Sequence, residues 1–311
     1  MAKEYPETLL EFEHWFRTEE TCREYLVRLR WPKGPRCPRC AHRQFWRTRQ
    51  GTMLCKLCRK EISMTTGTIF HRSHLPLRVW FRAIWWVTNQ KSGVSALGLQ
   101  RLLGLGSYRT AWTCLHKLRR AMVRPGRELL SGQVEVDETL IGGRRKGGSQ
   151  RTAKEIVIIA TEVRGAGMGR LRLQRIPDTT KETLGRFMAA TIEPGSEIIT
   201  DGYKSYRTLK DKGFRHWGVS EVGRGREAPG AILPRAHRVA SLLKRWLLGA
   251  HQGRSSKKQL DHYLEEFAFR FNRRSSEHRG MLFFRLVQQS VVMPHTPYKD
   301  IRGASRVGRL P

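Results

Sequence analysis

Four of the six cysteines stand as two Cys-x-x-Cys pairs, Cys37-Pro-Arg-Cys40 and Cys55-Lys-Leu-Cys58, with fourteen residues between them. Each pair can present two thiolates to one tetrahedral ion, so the spacing predicts a structural Zn²⁺ held by Cys37, Cys40, Cys55 and Cys58. The stretch between them, AHRQFWRTRQGTML, reads as a short hairpin turning at Gln50-Gly51. A redox motif needs one pair opening a helix in a thioredoxin-like unit, and two pairs flanking a basic hairpin do not fit it. Cys22 and Cys114 fall in apolar helical patterns and read as ordinary core thiols.

A second chemistry is carried by carboxylates. Asp137 stands in QVEVDETLIGG and Asp201 in EIITDGYKSYRTL. Two carboxylates brought close together repel each other and resist burial unless a divalent cation compensates them, so the pair points to a Mg²⁺ or Mn²⁺ site for phosphoryl transfer. Taken singly, each has an ordinary reading, Asp137 as a strand-end turn residue and Asp201-Gly202 as a turn signal.

The elements that must position these acids are legible in the periodicity. From Gln133 the pattern alternates, with Val134, Val136 and Leu140 between polar residues. The strand-like runs EIVIIATEV and GRLRLQRIPD follow, then a helix TKETLGRFMAATI and the strand ending at Asp201. Three strands, a helix and a strand are the order of a ribonuclease-H-like mixed sheet, which puts Asp137 and Asp201 on adjacent strands. Glu138 should point to the face opposite Asp137, because side chains alternate along a strand.

Between the two sites the period becomes helical. Leu77, Trp80, Phe81, Ile84, Trp85 and Thr88 recur at three and four residues. Ser95 is placed to cap a second helix ending at Leu103, Gly104-Leu-Gly106 breaks it, and Ser107 can cap a third, YRTAWTCLHKLRRAM. Two short helices joined by a Gly-containing turn, the second carrying Arg109, Lys117, Arg119 and Arg120 at its polar positions, suggest a helix-turn-helix. A plain helical hairpin linking two domains has the same pattern.

Lys and Arg number 59 against 27 Asp and Glu, a formal charge of +32, and 43 of the 59 are Arg. So Arg-weighted an excess suits phosphate recognition, since the guanidinium fork binds phosphate oxygens in pairs, and the expected partner is double-stranded DNA. The cysteine knuckles are ringed by Arg36, Arg39, Arg43, Arg47, Arg49, Lys56, Arg59 and Lys60, with Phe45 and Trp46 interleaved as the expected minimal core of the zinc module. An apolar share of 39% with 9 Trp, 12 Phe and 7 Tyr excludes a disordered polyelectrolyte. MAKEYPETLLEFEHWF has no apolar signal core and no window suits a membrane span, so a soluble intracellular protein is expected.

The expected fold is α/β and multidomain. It comprises an N-terminal helical segment (1–30), a zinc ribbon (31–72), a helix-turn-helix region (73–126), a ribonuclease-H-like mixed-sheet catalytic domain (131–292) and a basic C-terminal tail (293–311).

Four blocks, VEVDETLIGGRRKGG, TDGYKSY, HRVASLLKRWLLGAHQG and LDHYLEEFAFRFNRRSSEHRGMLFFRLVQQ, resemble the ISXO-like insertion-sequence transposases, a DDE-type group with an N-terminal zinc ribbon. The resemblance runs from the cysteines to about residue 290. It implies that Asp137 and Asp201 are the first two catalytic acids, and that a third ligand lies on a following helix seven residues before a lysine. That lysine is Lys244, and His237 stands where Glu or Asn is the commoner residue. Seven residues make about two helical turns, so His237 and Lys244 share a face. A neutral imidazole binds Mn²⁺ well and Mg²⁺ less willingly. His237 also has readings as a group that orients water or protonates the leaving 3′ oxygen, or as a phosphate contact beside Arg235 and Arg238. Glu266, in YLEEFAFRF, is the rival third ligand, while Glu221 and Glu227 lie in a Gly/Arg-rich loop nearer Asp201. Lys244 and Arg245 would set positive charge beside the scissile phosphate. Phe267, Phe269 and Phe271 would pack a terminal helix on the sheet, and Arg270, Asn272, Arg273 and Arg274 would hold DNA backbone or form a solvated face.

The implied activity is binding of the element's terminal inverted repeats, nicking by water and joining of the freed 3′ hydroxyls to target DNA. A homo-oligomer on DNA, in the cytoplasm and on the nucleoid of a bacterium, is implied with it. A zinc-ribbon and helix-turn-helix regulator with an inactive ribonuclease-H-like half, and a nuclease or resolvase on that fold, are the alternatives.

Overall fold

Threonine hydroxyls start the first two helices, α1 (Leu9–Trp15) and α2 (Glu19–Arg30). Thr8 accepts from the Glu11 N–H, and Thr18 and Thr21 cap each other reciprocally. The structure, a computed structural model, describes residues 3–123, 126–142, 154–219, 233–251 and 257–303. It divides into two units, one formed by residues up to 124 together with 275–303, the other by 125–274.

In the first unit β1 (Phe45–Arg47), β2 (Met53–Cys55) and β3 (Glu61–Ile62) form an antiparallel sheet, with Phe45 opposite Cys55. The β1–β2 turn closes through Gly51, whose φ of +79° favours glycine. Three helices follow: α3 (Leu77–Asn89), α4 (Ala96–Leu103) and α5 (Tyr108–Ala121). The Ser95 and Ser107 hydroxyls accept from Gly98 and Arg109 N–H as expected, and α4 ends at Gly104 in the left-handed conformation.

The second unit is a five-stranded sheet built from β4 (Gln133–Ile141), β5 (Glu155–Arg164), β6 (Gly167–Ile176), β7 (Glu197–Thr200) and β8 (Arg215–Gly218), in the order β6-β5-β4-β7-β8. The first three strands are antiparallel, whereas β7 runs parallel to β4 and β8 parallel to β7. Sequence periodicity had not marked β8, which is only four residues long and mostly exposed. Helix α6 (Lys181–Thr191) joins β6 to β7, and a 3₁₀ helix (Lys204–Lys212) joins β7 to β8. Helices α7 (Pro234–His251) and α8 (Lys257–Phe271) come last.

Alternation along the strands makes two apolar layers. On one face Val134, Val136, Ile158 and Ala160 meet Leu184 and Phe187 of α6 and Tyr206 of the 3₁₀ helix. On the other, Ile141, Val157, Ile159, Leu171 and Leu173 meet α7 and α8, with Phe267 and Phe271 in the layer as expected. Phe269 is also buried, with the Arg273 guanidinium 4.2 Å from its ring.

The chain then returns to the first unit, and here the boundary expected at 292 is corrected to 274. Helix α9 (Arg279–Val292) buries Leu282, Phe283, Leu286 and Val287 in the N-terminal unit. Phe283 is the hub of that core, 5.4 Å from both Phe12 and Phe16, 5.7 Å from Trp85 and 5.8 Å from Phe81. The stripe on α9 is read by partners about two hundred positions away or more, which periodicity cannot reveal. Gly280 sits so close to the backbone that an added Cβ would fall 1.7 Å from the Pro6 carbonyl oxygen. The expected basic tail also has structure, since α10 (Tyr298–Gly303) buries Ile301 and sets Tyr298 against Trp112. Among the described residues no helix is long and apolar enough to cross a membrane.

Candidate functional site

The two cysteine knuckles have matching turns. The N–H of Ala41 donates to Cys37 O at 2.9 Å and that of Arg59 to Cys55 O at 3.1 Å. Ala41 and Arg59, each following the second cysteine of its pair, both have positive φ. The turns aim all four thiols at one point. The Sγ atoms of Cys37 and Cys58 are 3.5 Å apart, those of Cys40 and Cys55 3.6 Å, and all four lie within 4.8 Å of one another. Four convergent sulfurs are a tetrahedral zinc donor set, and among the described residues they are the single group of three or more metal-ligand side chains gathered so closely.

Trp46 departs from its expected role as module core. It is 41% exposed with the Arg59 guanidinium 4.3 Å from its ring, and the buried positions nearby are Met53, Cys55 and Met64. Arg43 is exposed. Arg47 reaches back to α2, 2.8 Å from Glu20 and 3.2 Å from Glu24.

In the second unit, β4 and β7 are adjacent and parallel, with Glu135 opposite Ile199. Continuing that register by two residues sets Asp201, just past the end of β7, level with Asp137. Its Oδ1 accepts from the Tyr203 N–H at 2.9 Å. The turn behind it requires glycine, because Gly202 has φ +81° and a Cβ on Gly218 would approach the Gly202 Cα to 3.0 Å.

His237, in the first turn of α7, completes the cluster with Nε2 at 3.3 Å from Asp137 Oδ2. Burial pushes the Asp137 carboxyl up, and so does the charge of Asp201, while His237 and Lys244 pull it down. Lys244, exposed two turns along α7, thus keeps its charge within reach of the acids, and Arg245 beside it is exposed. The cluster is looser than the cysteine quartet, but it brings together Asp137, Asp201, His237 and Lys244.

Glu138 is on the other face, as strand alternation requires. Its carboxylate accepts the Tyr206 hydroxyl, and burial pushes it up to about 7. Glu135 was not singled out from the sequence, yet it is buried on the Asp137 face and accepts the first N–H groups of α7. Its signal was the two-residue step from Asp137, which puts both acids on one side of the strand.

Glu266 does not join the cluster. It is buried on α8 and paired at 2.7 Å with Arg270, one turn on, while α8 packs on β6 at the sheet edge farthest from β7 and β8. Glu221 and Glu227 lie outside the described residues.

Two expected DNA contacts are corrected. Lys117 is 6% exposed and donates to Ile69 O at 3.0 Å; Arg119 is 3% exposed and donates to Val94 O at 3.3 Å. Both long side chains lie in the packed side of α5, where carbonyls satisfy them. Arg120 is half-buried, and Arg109 is exposed with its guanidinium 3.9 Å from the Tyr298 ring centre. The basic run after α8 likewise serves the fold. Asn272 accepts from Leu171 N–H at 2.7 Å and donates to Leu171 O at 3.1 Å, closing the edge of β6. Arg274 donates to Gly169 O at 3.3 Å, and Arg273 to Phe269 O at 3.2 Å.

Residues 129–272 match the ISXO2-like transposase domain and residues 17–61 the transposase zinc-ribbon domain. A protein of Halobacterium salinarum (strain ATCC 700922 / JCM 11081 / NRC-1), described as an uncharacterized protein in transposable element ISH50, is 27% identical over 280 residues, covering 82% of this chain and 91% of its own length. The transposase match holds the whole sheet with its acids and α7, and the zinc-ribbon match holds the cysteine quartet and α2. Residues 129–272 therefore belong to the ISXO2-like transposase domains and residues 17–61 to the transposase zinc ribbons.

Proposed function

We propose that this protein is the DNA transposase of an insertion sequence, binding the element's terminal inverted repeats and catalysing strand cleavage and strand transfer at Asp137, Asp201 and His237. The observation that carries the reading is the approach of His237 to Asp137 at 3.3 Å, with the charges of Asp201 and Lys244 acting on the same carboxyl. Three antiparallel strands followed by two parallel ones, in the order β6-β5-β4-β7-β8, support a ribonuclease-H-like sheet.

Two carboxylates that repel each other and a neutral imidazole make a donor set suited to Mn²⁺ and less well to Mg²⁺. A divalent ion held there supplies Lewis-acid stabilisation of negative charge at phosphorus. Asp137 and Asp201 hold two fixed negative charges, and His237 adds a nitrogen donor without a third. Lys244 and Arg245 bind the phosphate being cut. In cleavage a water oxygen bonds to phosphorus as the bond to the 3′ oxygen breaks; the water gives a proton to solvent and the departing 3′ oxygen takes one up to become the free hydroxyl. In joining, that hydroxyl oxygen bonds to a target phosphorus and gives its proton to solvent while the target strand's 3′ oxygen leaves and is protonated, so one site serves both steps.

DNA recognition is assigned to the zinc ribbon, through Arg43, Lys56, Arg59 and the exposed Trp46, and to α4 and α5 as a helix-turn-helix with Arg109 on its exposed side. Double-stranded DNA and a second copy of the chain are the partners, structural Zn²⁺ the ribbon's metal, and the nucleoid in bacterial cytoplasm the location.

The test is cleavage and joining of DNA bearing the element's ends, with Mn²⁺ supplied, for the parent and for Asp137→Asn. The expected result is nicking and joining by the parent and neither by the variant, with end binding equal in both. Binding without nicking by the parent makes the protein a DNA-binding regulator, and nicking without joining makes it a nuclease or resolvase.

A further inference from the structure

Among the described residues, helix α7 has no cap of its own. Pro234 at its first position has no N–H, and the preceding Leu233 has no side-chain acceptor. The first N–H groups of a helix lack partners within it, and leaving them buried and unmade is costly. Strand β4 supplies what α7 lacks. Glu135, 2% exposed, accepts from Arg235 N–H at 2.8 Å and Ala236 N–H at 2.9 Å through one oxygen, Oε2. Its Oε1 accepts from the Arg235 guanidinium at 2.9 Å. The same guanidinium donates to Gly165 O at 2.6 Å and Gly167 O at 3.0 Å in the β5–β6 turn. The carboxylate is thus hydrogen-bonded at both oxygens and paired with a guanidinium, which burial of such a group requires.

The next residue along α7 is His237, and the next same-face residue along β4 is Asp137, and these two are in contact. A strand and a helix are therefore joined at two successive rungs, one made by Glu135 and one by Asp137. A helix held at its N–H groups cannot rotate or slide without breaking the cap, so the first rung sets the second.

We propose that Glu135 is a positioning residue of the active site, a helix cap supplied by the neighbouring strand that fixes His237 against Asp137. It touches neither DNA nor the metal. The inference rests on the reading of His237 as a metal ligand.

The experiment uses the full-length protein and two readouts, Mn²⁺ affinity by titration calorimetry and amide hydrogen exchange across 234–240 without added Mn²⁺. Glu135→Asp keeps the charge but withdraws the oxygens by one methylene, whereas Glu135→Gln keeps a carbonyl oxygen at the same reach. Glu135→Asp is expected to exchange faster across 234–240 and to bind Mn²⁺ about tenfold more weakly, the scale seen when partners that orient metal ligands are removed. Glu135→Gln keeps the oxygen that caps α7 but turns an amide NH2 towards the Arg235 guanidinium, so it is expected to lose that pairing yet stay closer to the parent than Glu135→Asp in both readouts. His237→Ala should lose Mn²⁺ affinity, and adding Glu135→Asp to it should lose no more, because both act on one ligand. Parental affinity in Glu135→Asp alongside loss in His237→Ala overturns this inference alone. Parental affinity in His237→Ala overturns the metal-ligand reading and the inference with it. If Glu135→Gln is the damaged variant and Glu135→Asp the sound one, the charge and not the cap matters, and the positioning role is wrong.

Discussion

His237 Nε2 and Asp137 Oδ2 stand 3.3 Å apart, on a helix and a strand separated by a hundred positions in the chain. The contact occurs at the mouth of the sheet where β4 and β7 run parallel, which is also where Asp201 leaves β7. Parallel neighbours keep one register, so with Glu135 level with Ile199 the carboxylates two residues on are neighbours, and α7 needs only to start there to add a third group.

Asp137→Asn and Asp201→Asn should each abolish nicking and joining while leaving end binding unchanged, because DNA affinity is assigned to the basic surfaces of the ribbon and α5. His237→Ala should do the same. His237→Glu should retain cleavage and shift the preference from Mn²⁺ towards Mg²⁺, since a hard oxygen replaces a nitrogen donor. Gel assays of end cleavage with each ion check this, and full cleavage by His237→Ala would remove His237 from the site.

Metal analysis of the purified protein should find about one zinc per chain, and Cys40→Ser should lose it, because three thiolates and a hydroxyl make a far weaker tetrahedral site. Retention of a full complement by Cys40→Ser contradicts the four-thiol site.

Lys117→Ala should destabilise the protein by about 1–3 kcal/mol, since it strips the Ile69 carbonyl of a buried donor. It should leave the salt dependence of DNA binding by the folded protein unchanged. Arg109→Ala should act the other way, with little loss of stability and a shallower salt dependence. Denaturant melts and binding measured across a salt series separate the two, and a shallower salt slope in Lys117→Ala would return that residue to the DNA surface.

Glu138 gives a pH signature. With its carboxyl held up near 7 in the folded protein, far above its usual range, the folded state binds a proton that the unfolded chain has released. The stability associated with that proton is complete below the unfolded value, near 4.3, and is lost as pH rises towards 7. Glu138→Gln keeps an acceptor for Tyr206 but cannot ionise, so it should match the parent near pH 4.5 and exceed it in stability at pH 8. Urea unfolding of both proteins at the two pH values, without added divalent ions, provides the check; equal stability at pH 8 means the carboxyl is not held up by burial.

Some of this was written in the chain itself. Cys37, Cys40, Cys55 and Cys58 are legible because a knuckle is local: three bonds of sequence separation and a turn are enough to aim two thiols. The strands are legible for the same reason, since a period of two needs only neighbours, and so are the serine caps at Ser95 and Ser107. What sequence could not settle were the choices made by partners far apart along the chain. Lys117 and Arg119 occupy polar positions by pattern, and only the packing of α5 against carbonyls at 69 and 94 buries them. Helix α9 carries an apolar stripe that would suit either unit, and the aromatic cluster around Phe283 decides for the first. Asp137 and Asp201 were named by residue type, but which of His237 and Glu266 stands beside Asp137 depends on where two helices dock on one sheet. At the start of α7 Glu135 joins in that docking, since its carboxylate has no evident role in isolation and accepts helix N–H groups only once α7 lies against β4. Local geometry is encoded in local spacing, whereas burial and long-range pairing are settled by which distant surfaces compete for the same apolar face and the same hydrogen-bond donors.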